Sequence, residues 1–293
     1  MKKRTTKTNL IGKEVKMMKK LIFIALLLAM LGIGSTAQAF WTGTVYDGLG
    51  GSASNVLTFD WSSSGSGVAI DLGPFGTPFP VGTVFTFLYQ AELVGLTDPN
   101  GNPITFTGLT NTFEYTAVAA IQEQVIAFTN PAPGIFSAIF TTIGGQWAIL
   151  NDNPANSDVP TGAGFDDGSV AAFGTINPNQ LTFFSATAGG IGIGSTILEG
   201  LVTFADPLFL DPTAIIFDFR FEGTLNYPPL DSTTTGFFIG PGIGVDYAVD
   251  GNDLLLKVDG SSKFSVIPEP STIVLLGIGL LGLGGLARKR SMK

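Results

Sequence analysis

Residues 214–225, AIIFDFRFEGTL, alternate strictly: Ile215, Phe217, Phe219 and Phe221 fall on one side of an extended chain, and Asp218, Arg220 and Glu222 on the other. A helix repeats its faces every ~3.6 residues and cannot segregate this pattern, so the segment reads as a strand with one buried and one wet face. Residues 82–93, GTVFTFLYQAEL, differ in that both faces are largely apolar, Phe85, Phe87, Tyr89 and Ala91 against Val84, Thr86, Leu88 and Gln90. Such a strand needs cover on both sides. Further strands are expected at 56–61, 113–128 with an interruption, 135–143, 170–176, 181–186, 197–204, 237–247, 254–258 and 263–267. Turn signals separate them at Asp98-Pro99-Asn100-Gly101, Asn130-Pro131, Asn177-Pro178-Asn179, Asp211-Pro212 and Asp250-Gly251-Asn252. Only 13% of the residues are charged, too few to clothe long exposed helices. The pattern predicts an all-β body built as an antiparallel β-sandwich. Residues 151–169, NDNPANSDVPTGAGFDDGS, form either a surface loop or a seam between two β units. No fixed-period repeat points to a propeller or solenoid.

The two ends of the chain differ in kind from this body. Lys19-Lys20, the apolar run LIFIALLLAMLGIG and then Ala37-Gln38-Ala39 give a cationic region, a greasy core and a small-residue cleavage site in the order of a secretory signal peptide. Residues 1–39 are therefore expected to engage the Sec translocon and to be cut after Ala39 by signal peptidase. The stretch before Met17-Met18 is long for such a leader, and a start at either methionine gives one of ordinary length. At the other end, residues 271–287 carry no charge and, at ~1.5 Å per helical residue, just cross a hydrocarbon layer. Arg288, Lys289 and Arg290 follow as a membrane stop, holding that end in the cytoplasm and leaving the body outside. The expected organisation is a leader at 1–39, an exported domain at 40–266 and a tail with one transmembrane helix at 267–293.

Charge is segregated accordingly. Eight of the fifteen basic residues lie in the first 20 positions, whereas residues 40–267 hold only Arg220, Lys257 and Lys263 against 21 carboxylates, a formal −18. A body this acidic repels phosphate backbones, which excludes nucleic acid as a partner. Cysteine and histidine are both absent. That removes disulfides, thiolate metal sites and every nucleophilic triad with an imidazole base.

What chemistry remains rests on oxygen ligands and rings. Asp246, Asp250, Asn252, Asp253 and Asp259 surround a glycine turn and suit calcium, a hard cation. Asp250-Gly251 is equally a hairpin turn. Asp152, Asp158, Asp166 and Asp167 make a weaker set of the same kind, and both clusters also read as a solvating acidic shell. A glycosidase needs one pair of carboxylates at a fixed separation, and the five body glutamates, Glu92, Glu114, Glu123, Glu199 and Glu222, single out no pair. Trp41, Trp61 and Trp147 are either core or a stacking platform for sugar rings. The G-x-G runs at 188–196 and 238–245 lack the following helix of a dinucleotide site and read as strand or loop glycines.

Pro268-Glu269-Pro270, the hydrophobic run and the basic cluster occur in the order, spacing and terminal position of a PEP-CTERM sorting signal, which this ending resembles. The resemblance implies export in a Gram-negative bacterium and transient inner-membrane anchoring. It also implies removal of the tail by an exosortase, with Pro268, Glu269 and Pro270 as the processing motif. LTFDWSSSG (57–65), VGTVFTFLYQAEL (81–93) and DYAVDGNDLLLKVDGSSKFSVIPEP (246–270) are similar to segments of flocculation-associated PEP-CTERM proteins. That likeness implies a non-enzymatic protein of the cell surface or extracellular matrix that promotes cell aggregation with extracellular polysaccharide. A secreted glycan-active hydrolase and a passive structural matrix protein are the alternatives.

Overall fold

The computed structural model describes residues 40–132, 135–187, 190–213, 216–228, 236–237 and 247–266. Among them the strands are β1 Gly43–Tyr46, β2 Ser52–Val56, β3 Thr58–Ala69, β4 Val84–Thr97, β5 Pro103–Ile104, β6 Glu114–Ala132, β7 Ile135–Asp152, β8 Ser169–Ile176, β9 Leu181–Thr187, β10 Ile191–Ala205, β11 Leu210–Asp211, β12 Ile216–Tyr227, β13 Gly236–Phe237, β14 Tyr247–Ala248 and β15 Leu254–Val266. The body is all-β and antiparallel, as its alternation requires. Most of the strand expected at 237–247 lies outside the described residues.

Ten strands form one sheet in which long strands pair with their successors: β3 with β4, β4 with β6, β6 with β7, β10 with β12 and β12 with β15. β8 lies along the C-terminal half of β7 and β9 along its N-terminal half, and both continue onto β10 in the same way. They therefore act as one long strand broken at residues 177–180. β15 also pairs with β3, so the last strand meets the first and the sheet closes on itself. The facing layers expected of a sandwich are the opposing walls of this closed sheet, whose long strands, among the described residues, are each paired on both sides.

Closure explains segments that composition disguises. Residues 62–67, SSSGSG, belong to β3, and the glycine-laced start of β10 is strand throughout. A closed barrel has little interior volume, so large inward rings must face small residues. A Cβ at Gly260 would lie 2.4 Å from the ring of Phe221, and one at Gly192 2.4 Å from that of Phe184. The glycines are sockets for the phenylalanines. The interruption expected in 113–128 is a pair of register shifts, between Gln122 and Glu123 and between Val125 and Ala127, and β6 runs through both. The segments expected at 254–258 and 263–267 are one strand because both β12 and β3 bond the intervening residues.

The interior core carries inward side chains of every wall, including Phe59, Trp61, Phe87, Ile121, Trp147, Phe219, Phe221 and Val258. One mouth is covered by β1, β2 and β11, with Trp41, Val45, Val56 and Leu210 fully buried. Residues 70–83 fill the other, where Phe75 stacks on Tyr227 at 3.9 Å and Phe79 packs edge-on against Phe136 at 5.2 Å.

Residues 153–168 settle the reading of 151–169 in favour of the loop. They fold back over the outer wall of β3, β4, β6 and β7, where Phe165 and Val159 cover Val68, Leu88, Val118, Ala148 and Leu150. This second core is why β4 is apolar on both faces. The buried carboxylate of Glu114 ties the loop down, accepting from the N–H groups of Asn156 and Ser157 at 2.8 Å each and from the Ser157 hydroxyl.

Candidate functional site

The two ends of the body meet at the mouth covered by β1. Phe40 forms a β-bridge with Ser265, the Trp41 N–H donates to the Phe264 carbonyl at 2.9 Å, and Trp41 Nε1 donates to the Pro212 carbonyl at 2.9 Å. Lys263 Nζ sits 5.8 Å from the centre of the Phe40 ring. Phe40 and Trp41 are thus fastened beside Phe264 and Ser265 at the end of β15. Pro268 stands two positions beyond the last residue of β15. Ala37, Ala39, Asp246, Pro268, Glu269, Pro270, Arg288, Lys289 and Arg290 lie outside the described residues.

Of the candidate calcium ligands, Asp250, Asn252, Asp253 and Asp259 lie among the described residues. Asp250, Asn252 and Asp253 share the turn before β15, but Asp259 lies mid-strand opposite Thr224. The Asp253 carboxylate accepts from the Tyr247 hydroxyl at 2.9 Å, the Asp250 N–H at 2.8 Å and the Asp71 N–H at 3.0 Å, while Asp250 accepts from the Asn252 N–H at 2.7 Å. These oxygens close the turn and join it to the end of β3. Among the described residues no group of three or more acidic side chains is placed to hold a metal ion.

The acids of the long loop are likewise engaged in its own folding. Asp152 accepts from the Asn153 N–H at 2.7 Å, Asp158 from the Thr161 hydroxyl at 2.7 Å and Asp167 from the Asn156 amide at 3.0 Å. Burial, with Asp167 adding to it, holds the Asp152 carboxyl above its ordinary value. Asp60 on β3, Glu222 on β12 and Asp259 on β15 line an open groove, in which desolvation first and Asp259 second raise Asp60. Arg220 bridges the neighbouring Glu199 at 2.7 Å and Glu222 at 2.9 Å.

All three tryptophans are core, with exposures of 0, 1 and 2% for Trp41, Trp61 and Trp147, so none offers a face to a sugar. Trp61 donates to Ser262 Oγ at 2.9 Å and Trp147 stacks on Phe219 at 4.1 Å.

A further polar feature lies inside the barrel. Glu123 projects into a cavity of about 40 Å³ lined also by Tyr89, Trp147, Thr182, Thr196 and Leu198. That volume suits a few water molecules. Its carboxylate accepts from Thr182 Oγ1 at 2.8 Å, and Thr182 lies 2.9 Å from Thr196 Oγ1. Burial pushes the Glu123 carboxyl up to about 7 from an ordinary 4.5, with the Thr182 hydrogen bond opposing only part of the rise. Tyr89 Oη and Trp147 Nε1 are buried beside it without a hydrogen-bond partner among the described residues. The one trace in the sequence is its position between Ile121 and Val125 in the inward row of β6, where an apolar residue belongs.

The model of the PEP-CTERM protein-sorting motif matches residues 266–290. No curated protein and no solved structure matches the chain. The match begins at the last residue of β15, so the sorting segment is joined directly to the strand that closes the barrel. A tail of this type marks an exported protein, anchored transiently in the membrane and processed by an exosortase.

Proposed function

We propose that this chain is a non-enzymatic barrel delivered to the surface or extracellular matrix of a Gram-negative bacterium, where it promotes cell aggregation with extracellular polysaccharide. Signal peptidase releases Phe40, the segment ending in Arg288, Lys289 and Arg290 holds the body at the outer face of the inner membrane, and an exosortase acting at Pro268-Glu269-Pro270 frees it. The observation that carries the export pathway is the sorting match at residues 266–290, which the pairing of Phe40 with Ser265 complements. Phe40 and Ser265, near the two ends of the described body, thus lie at one mouth of the barrel. The aggregation role draws its support from the resemblance of the body to flocculation-associated proteins. Weak contacts made by many copies sum to strong adhesion without a deep pocket.

Replacing Pro268, Glu269 and Pro270 together by alanine tests both halves. The variant is expected to accumulate in the inner-membrane fraction with its tail intact, and its strain to settle as slowly as one lacking the protein. Normal release of the variant would contradict the processing role. Unchanged settling despite retention would contradict the aggregation role.

A further inference from the structure

The outer wall divides into three sectors of different chemistry. The sector of β3, β4, β6 and the end of β7 lies under the 153–168 loop, and that of β12 and β15 displays Asp218, Arg220, Glu222, Lys257, Asp259 and Lys263. Between them, β9, β10 and the start of β7 leave an apolar face that none of the described residues covers. Register places its members together: Ile139 opposite Phe183, Phe183 opposite Ser195, and Ile193 opposite Ser185. Ile193 is 61% exposed, Ile191 59%, Phe183 and Ile197 48%, and Leu181 45%, with Leu201 further along β10. At the far end Phe173 and Phe204 stack on each other in the open at 5.5 Å. The one charged side chain on the β10 outer row, Glu199, is paired with Arg220.

We infer that this face is the contact between two copies of the barrel, packed sheet to sheet about a two-fold axis. The exposed parts of these side chains sum to on the order of 800 Å², about what each partner gives to a stable interface and more than a monomer ordinarily leaves open. Charge selects the same face. A body with a formal −18 repels its own kind over most of its surface, and copies approach at least cost where carboxylates are absent. The chemistry favours protein over glycan. Flat branched aliphatic rows interdigitate with their like, whereas sugar faces call for broad rings with polar rims, and the tryptophans here are all inside. A face used by both partners is self-complementary, as two-fold association requires. The inference stands apart from the export pathway and gives each assembled unit two of every other surface.

Sedimentation equilibrium on residues 40–266, within which the barrel closes, tests it. The native fragment is expected to sediment as a dimer, and the double variant Phe183→Asp, Ile193→Lys to be monomeric, with self-association weakened at least about a hundredfold. Both side chains point outward, so the thermal midpoint should move little. Ser195→Lys, which removes no apolar group, supplies a second charge at the centre of the face and is expected to weaken association in the same way. A native fragment that stays monomeric at every concentration overturns the inference, as does association unaffected by these substitutions. Retention of that monomer by a neutral polysaccharide column would instead assign the face to glycan.

Discussion

Gly260→Val is expected to destabilise the barrel by about 3 kcal/mol or more, at the upper end of what overpacking a core costs. The added Cβ would stand 2.4 and 2.5 Å from two atoms of the Phe221 ring, and Gly223, on the paired strand, would bring a Cβ within 2.6 Å of the same ring. Phe221 has nowhere to retreat. It is buried, packs on Tyr89 at 5.2 Å and faces an interior whose remaining cavity is about 40 Å³. Urea unfolding of residues 40–266 checks the size of the loss. Adding Phe221→Leu to the smaller Gly260→Ala change should recover part of its cost, because the two positions share one space and their effects cannot add. A Gly260→Val fragment with the native midpoint would mean that the ring and the strand do not meet as described.

Glu123→Gln is expected to stabilise the protein at pH 8 by about 3 kcal/mol, and to do nothing comparable at pH 4. The sign follows from a carboxyl held at about 7 in the folded chain against 4.5 in the unfolded one. Below 4.5 it is neutral in both states. As pH rises from 4.5 to about 7, the unfolded chain sheds its proton while the folded chain keeps it, so stability falls across that window and stays low above it. Glutamine keeps the shape and can still meet the Thr182 hydroxyl, yet has no charge to desolvate. For a domain of this size the gain at pH 8 corresponds to roughly 6–12 °C in Tm. Asp60 and Glu92 are also raised by burial and tilt the native profile the same way, so the difference between native and variant profiles, rather than either alone, isolates Glu123. Parallel profiles would show that the carboxyl is not buried.

Much of this architecture is written locally in the chain. The alternation of β12 is visible in residues 214–225, and the double-sided apolar character of β4 correctly called for cover on both faces. Closure of the sheet is not legible in the same way. It depends on β15 finding β3 some 200 residues earlier, and no local period records a partner that distant. The serine and glycine strands were obscure for a related reason. SSSGSG in β3 and GIGST in β10 have weak intrinsic preference for extension; Ser66, Gly67 and GIGST are held as strand by both neighbours, while Ser62, Ser63 and Ser64 fall within the register shift between Trp61 and Ser66.

The polar residues show the complementary gap. Asp250, Asn252 and Asp253 stand close in sequence and in space and hydrogen-bond within the turn, while Asp259 of the same run lies on β15 opposite Thr224. Proximity along the chain cannot tell a ligand cluster from a cluster of turn caps. Glu123 lies in an unremarkable stretch of glutamine and glutamate, and its side chain points inward because it shares the period-two row of Ile121 and Val125 on β6. The sorting tail was the most legible element, because its order of prolines, apolar run and cations is itself the message and needs no tertiary partner to be read.

That the barrel is cut free at both of its adjoining ends can be tested directly by the intact mass of the protein recovered from the culture medium. The expected species begins at Phe40 and ends within the few residues after Val266, well below the 30.6 kDa of the whole chain. A released protein whose mass still includes residues 271–290 would contradict the account.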